Sequence, residues 1–206
     1  MTKNEKWLEE AQKVVRSGGV VIVPTETFYG LAADPFNEKA VLRIFQIKSR
    51  SHSKPLPLIA SDRAAVERLV PHPGPEALRL MDRFWPGSLT LVLPTAAPLS
   101  GLLTGERGKV GVRIPPDCAA RWLAGAVGGL ITATSANLAG EPSPDIVQKI
   151  SARVIAAVDL VVDLGATPGG EPSTVVDFER GKVRMIREGA VAAKEIEAFM
   201  RTSKSS

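Results

Sequence analysis

The apolar residues of this chain come in short strand-like runs. The early runs are separated by stretches of helical periodicity, and several of the last follow one another with no helix between. Periodicity predicts a helix over 4–17, with Leu8, Ala11, Val14 and Val15 on one face, ended by Gly18-Gly19 as a C-cap. A buried strand over 20–23 stops at Pro24. A second helix over 37–48 takes Asn37 as its cap. The run 56–60 reads as a strand, and Pro57 makes it an edge or irregular one. Helices over 62–70, capped by Ser61, and 75–84 precede strands over 88–94 and 110–115 around a Gly-rich loop. A helix over 117–125, a strand over 130–133 and a helix over 144–157 follow. Strands over 160–165, 173–178 and 182–188 then lead to a final helix from 191 to about 201. Late strands without helices between them speak against a purely parallel doubly wound sheet. They favour a single α/β domain with a mixed parallel/antiparallel sheet flanked by helices. With no internal repeat or long linker, the whole chain, 1–206, reads as one domain, with a frayed tail at 202–206.

Composition excludes several chemistries. Cys118 stands alone, so no intrachain disulfide or CxxC site forms. Two histidines, His52 and His72, are too few for a Cys/His zinc site, and both sit in Pro/Ser-rich loops that favour solvent. The Gly108-Lys109 pair resembles the end of a Walker A loop, but Leu103 stands where its first glycine belongs, and no GxGxxG follows a strand. No apolar run approaches the roughly 20 residues of a membrane span, and the N-terminus lacks the order of a secretion signal. A soluble, cytoplasmic protein is expected.

Hydroxyl- and glycine-bearing segments cluster at the ends of the predicted strands. They are PTETFYGL (24–31), KSRSHSKP (48–55), WPGSLT (85–90), TSANLAGEPSP (134–144) and STVVD (173–177). Any one of them serves as a helix cap or turn; together they mark a strand-end crevice. The formal net charge is +4, and Arg201 and Lys204 in the final six residues supply two of those charges. Placement says more: from Lys39 to Ser61 the chain carries Lys39, Arg43, Lys48, Arg50 and Lys54 and no acid. A helix C-terminus accounts for Lys48 alone. Arg113 and Arg187 interrupt apolar strands, and alternation permits a solvated face for both. With the hydroxyl-rich loops, these cations match an anionic ligand of nucleotide kind. Glu26, between Thr25 and Thr27, reads as a structural residue capping a tight turn. Asp34-Pro35 reads as a turn, and Asp177 as either a ligand contact or a cap.

In order, PTETFYGL, KSR with KP, WPGSLT, VGVRIP, TSAN with GEPSP, STVVD and the Arg187–Gly189 triplet resemble the YrdC-like family from Val20 to Gly189. The resemblance implies an open, twisted mixed sheet with a large basic cavity. It implies condensation of L-threonine, bicarbonate and ATP into threonylcarbamoyl-AMP and pyrophosphate, for N6-threonylcarbamoyladenosine in tRNA. Such a transfer needs two anions placed against each other and cations to spread the charge, and no protein nucleophile.

By resemblance, Lys48, Arg50, Ser135 and Asn137 form the catalytic set. Arg50, Lys54, Lys109, Ser135, Ser143 and Arg187 contact ATP. Thr27, Arg113, Ala133 and Ser173 contact threonine, with Arg113 on its carboxylate. Lys109 and Ala133 contribute through backbone groups nearby. Magnesium arrives with ATP, and no protein ligand for it is named. The implied partners are these small molecules and a downstream threonylcarbamoyl transferase complex, with a tRNA or double-stranded RNA contact as a further expectation and no membrane.

The sequence departs from the family pattern at Phe28, Lys54 and Ser88, and Ile59 occupies a position where some relatives carry a threonine-contacting His. The short chain is also expected to lack the extra C-terminal domain of the longer family form. Two other readings fit the same residues: a non-catalytic module gripping double-stranded RNA or tRNA, and a family member with a different acyl acceptor.

Overall fold

The computed structural model describes residues 3–179 and 181–202. Their order is α1 (Lys3–Arg16), β1 (Val21–Pro24), β2 (Tyr29–Ala32), α2 (Glu38–Lys48), β3 (Leu58–Ala60), α3 (Arg63–Leu69) and α4 (Pro75–Phe84). Then come β4 (Leu89–Pro94), α5 (Gly101–Thr104), β5 (Lys109–Arg113), α6 (Ala119–Ala126), β6 (Leu130–Thr132) and β7 (Thr134–Ser135). A 3-10 turn at Val147–Lys149 precedes α7 (Ala152–Ala156), β8 (Leu160–Val161), β9 (Thr174–Glu179), β10 (Lys182–Arg187) and α8 (Ala193–Thr202). The tail residues 203–206, Lys204 among them, lie outside the described residues. No helix among the described residues is long and apolar enough to cross a membrane.

The strands form two sheets rather than the one expected, in the orders β7-β2-β1-β8 and β10-β9-β4-β5-β3-β6. Both are mixed. β1 runs antiparallel to β2 and parallel to β8, while β4 runs antiparallel to β5 and parallel to β9. Strand alternation feeds two cores at once. In β1, Ile22 joins Tyr29, Leu31 and the inner face of α2, while Val21 and Val23 join Ala11, Val15 and α6. In β3, Leu58 and Ala60 face the first core and Ile59 the second, so Ile59 is packed away from any cavity.

Local chemistry explains most elements. The Asn37 side chain accepts from Ala40 N and caps α2, and Gly18 takes a left-handed conformation after α1. The Asp34 side chain and carbonyl close the Asp-Pro turn onto Phe36 N and Asn37 N.

Four expectations change. β3 is interior, between β5 and β6, because Pro57 precedes it and there accepts from Ala133 N. Asp62, not Ser61, caps α3 by accepting from Ala65 N. The single helix over 144–157 breaks into the 3-10 turn and α7, which Ser151 caps anew. The strand over 160–165 pairs only at its first two residues. The short β2, β7 and α5 are additions, inside segments read as loops.

One glycine holds the end of β10 against the start of β9. A Cβ at Gly189 would overlap the Pro172 carbonyl oxygen, and Ala190 N donates to that same oxygen at 2.9 Å. Gly189→Ala is therefore expected to destabilise the protein by roughly 1–3 kcal/mol. It should also loosen Arg187, read as a lower unfolding midpoint together with weaker anion binding.

Candidate active site

A cavity of about 150 Å³ opens where the two sheets meet. Tyr29 and Gly30 of β2 and Thr134 and Ser135 of β7 come from the smaller sheet. Arg113 at the end of β5, Ser173 before β9 and Arg187 at the end of β10 come from the larger. Thr25, Thr27, Phe28, Arg50, Ala133 and Ser143 complete most of the wall. Beside it lies a groove of about 1130 Å³, lined by Lys54, Lys109, Asp177, Arg184 and the α5 segment. Arg50, Pro57 and Arg187 belong to both walls, so the two compartments share a basic boundary.

The β1–β2 turn is built by Thr25. Its hydroxyl accepts from Thr27 N at 3.1 Å and Phe28 N at 3.2 Å and donates to Phe28 O at 2.7 Å. This places Thr27 on the cavity and turns Glu26 toward β5. There both Glu26 oxygens meet Arg113: Nε donates to Oε1 at 2.9 Å and Nη2 to Oε2 at 3.4 Å, with side chains only 6% and 7% exposed. Glu26 is thus a buried counter-ion rather than a backbone cap, and Arg113 faces the interior, not solvent. Alternation along β5 allowed either face, and no spacing links residues 87 apart.

Ser49 ends α2 in the left-handed region at φ 50, which turns Arg50 out of the helix. Arg50 then donates to Lys54 O at 2.9 Å and Pro55 O at 3.3 Å, so its own loop holds its guanidinium. Arg187 is held by Ser173, donating to its carbonyl at 2.7 Å and its hydroxyl at 3.3 Å, while Thr90 bonds that hydroxyl at 3.0 Å. Burial, and then the Arg187 charge, holds Arg50 below the usual guanidinium range. Burial, and then the Arg113 charge, does the same to Arg187. Three guanidiniums therefore repel one another around one space, and Glu26 answers only one of them. Such a site favours anions.

Lys48 and Asn137 line neither compartment. Lys48 is 2% exposed, and its ammonium donates to Ser135 O and, at 2.8 Å each, to Asn137 O and Oδ1. Ser135 Oγ donates to Asn137 Oδ1 at 2.6 Å, and Asn137 Nδ2 to Glu141 O at 2.5 Å. The lysine, the last residue of α2, is a buried post under the Ser135–Asn137 loop. Burial first, then the Arg50 charge, lowers its pKa to about 7, against a smaller opposing pull from Glu141.

Lys109 reaches the groove with its ammonium on Asp177 Oδ1 at 2.6 Å and Phe178 O at 2.8 Å. Burial opposes ionisation of Asp177. The bonds from Lys109 and Phe178 N, with the Lys109 and Arg184 charges, outweigh that and keep the carboxyl below its ordinary range. Asp177 is neither free ligand nor turn cap but the centre of an ion-pair cluster. The Ala133 amide is already committed to Pro57 O. Arg43 bonds Asp159 and Ala157 O and belongs to the scaffold. Both histidines are exposed, as expected from their loops.

Among the described residues no group of three or more His, Cys, Asp and Glu side chains could hold a metal. Glu26, on the lining residue Arg113, is already occupied.

Fold and site together define a mixed α/β protein with a small polar cavity beside a larger groove, the two sharing Arg50, Pro57 and Arg187. The model of the Sua5/YciO/YrdC family, described as telomere recombination, matches residues 13–189, and the chain belongs to that family. It is 35% identical to a threonylcarbamoyl-AMP synthase of Stenotrophomonas maltophilia, over 87% of this chain and 97% of that one. Among solved structures it matches Pyrococcus abyssi Sua5 complexed with L-threonine at TM-score 0.89 and 35% identity, covering 95% of this chain and 58% of that one. It matches Escherichia coli YciO at TM-score 0.83 and 27% identity, covering 93% of each.

Proposed function

We propose that the protein is a threonylcarbamoyl-AMP synthase, a nucleotidyltransferase that condenses L-threonine, bicarbonate and ATP. One observation carries this reading: Arg50 and Arg187 stand on the wall common to a cavity of about 150 Å³ and a groove of about 1130 Å³, which has room for a nucleotide. Threonine occupies the cavity, with its carboxylate on Arg113 and with Thr27 and Ser173 beside it. ATP occupies the groove, with Lys54 beside it and its phosphates at Arg50 and Arg187, where they reach the shared wall and meet Ser135 and Ser143 from the cavity side. The deep placement of Arg113 favours a small anion over an RNA backbone as its ligand.

Threonine's amine, deprotonated, takes up bicarbonate with loss of water and becomes a carbamate. A carbamate oxygen then forms a bond to the α-phosphorus, the bond from that phosphorus to the bridging oxygen breaks, and pyrophosphate leaves. The protein holds both anions in line and spreads the charge of the transition state over its guanidiniums. Magnesium enters as the counter-ion of ATP, part of the substrate, and no step is assigned to it. A threonylcarbamoyl transferase acting on tRNA would consume the product.

Calorimetric titration tests the two-compartment assignment. Threonine and ATP are each expected to bind once per chain and to bind in each other's presence. Displacement of one by the other would overturn it.

A further inference from the structure

The cavity wall contains no carboxylate, yet its most deeply buried guanidinium is clamped by one from behind. Glu26 takes Arg113 by Nε and Nη2, leaving Nη1 without a hydrogen-bond partner among the described residues, on a side chain that lines the cavity. Its carboxylate is itself fixed at its root by the Thr25-built turn. Nearly complete burial of both side chains means that neither can be screened or replaced by water without loss. An arginine with five N–H donors bound along one edge keeps its plane and presents the other edge.

We propose that Glu26 is a positioning residue for the amino-acid substrate. It sets the plane of Arg113 so that the free edge of the guanidinium meets the substrate carboxylate, and it cancels one of three converging positive charges. This rests on the reading of the cavity as the threonine compartment. Among the described residues Glu26 bonds no cavity residue but Arg113, so its influence should fall on the amino acid and not on the nucleotide.

The test compares wild type, Glu26→Gln and Glu26→Asp for threonine affinity, ATP affinity, steady-state kinetics and unfolding midpoint. Glutamine keeps the size but lacks the charge and turns one N–H toward the guanidinium. Its threonine Kd and KM are expected to rise by about tenfold or more. At saturating threonine, kcat should fall by less than about threefold, because an interaction shared by bound substrate and transition state shows mainly in KM. ATP Kd should stay unchanged. Aspartate keeps the charge at shorter reach and should recover part of the threonine affinity; it also carries the test if glutamine prevents folding.

Wild type that binds threonine while both variants bind it equally well overturns the proposal alone. So does a parallel loss of ATP affinity, which would mark a general structural role. Wild type that binds no threonine overturns the functional reading and this proposal together.

Discussion

Lys48→Met is expected to leave the fold standing and to weaken ATP binding by about tenfold or more. The lysine lines neither compartment, so the loss runs through the loop it supports. Methionine removes a donor from Ser135 O, Asn137 O and Asn137 Oδ1; Asn137 N still serves Ser135 O and Ser135 Oγ still serves Asn137 Oδ1, so among the described residues Asn137 O is the acceptor left bare. A buried acceptor without a partner costs about 1–3 kcal/mol, which the loop relieves by moving and carrying Ser135 with it. Against this, methionine removes an ammonium whose burial is itself unfavourable, so the unfolding midpoint should change little.

The pH dependence separates the two effects. Folding lowers the Lys48 pKa to about 7 from an ordinary 10.5. Below the folded value both states hold the proton, and no linkage arises. Between about 7 and 10.5 the unfolded chain binds the proton that the folded protein has released, so stability rises with pH. Lys48 alone contributes a slope of at most about 1.4 kcal/mol per pH unit in that window. Loop order runs the other way: the neutral amine has two N–H donors for three acceptors, so ligand affinity should fall as pH passes 7. Denaturant unfolding between pH 6 and 10 should show the slope in wild type and lose it in Lys48→Met. An unchanged slope in the variant would remove Lys48 as its source.

Arg50→Ala should lower ATP affinity by roughly a hundredfold or more, because a charge-assisted partner on the shared wall is lost. Stability should hold or rise slightly. The guanidinium is repelled by Arg187, and among the described residues its bonds go to two carbonyls of its own exposed loop. A site that becomes more stable when its ligand-binding charge is removed is one strained for function. Calorimetry with ATP, paired with thermal unfolding, reads both. Unchanged ATP affinity would refute the role given to Arg50.

The sequence made legible what local chemistry decides. The Asn37 cap, the Gly18 turn, the buried strand before Pro24 and the acid-free stretch around Arg50 are all local signals. Long-range pairing was out of its reach. Tyr29–Ala32 forms a strand despite Gly30 because Val21–Pro24 on one side and Thr134–Ser135 on the other supply its hydrogen bonds. Pro57 looked like an edge marker and proved to be the residue before an interior strand. Within the site, the arginines were visible as charges in apolar or acid-free surroundings, but their orientations were not. Glu26, Asp177 and the loop beneath Ser135 find their partners far along the chain, so their residue types were readable and their pairings were not.

Pyrophosphate release from the purified protein tests the central claim most directly. With ATP, L-threonine and bicarbonate together, pyrophosphate should accumulate over many turnovers, and omission of any one of the three should abolish it. Release that is absent with all three present, or that proceeds without threonine or bicarbonate, would contradict the account.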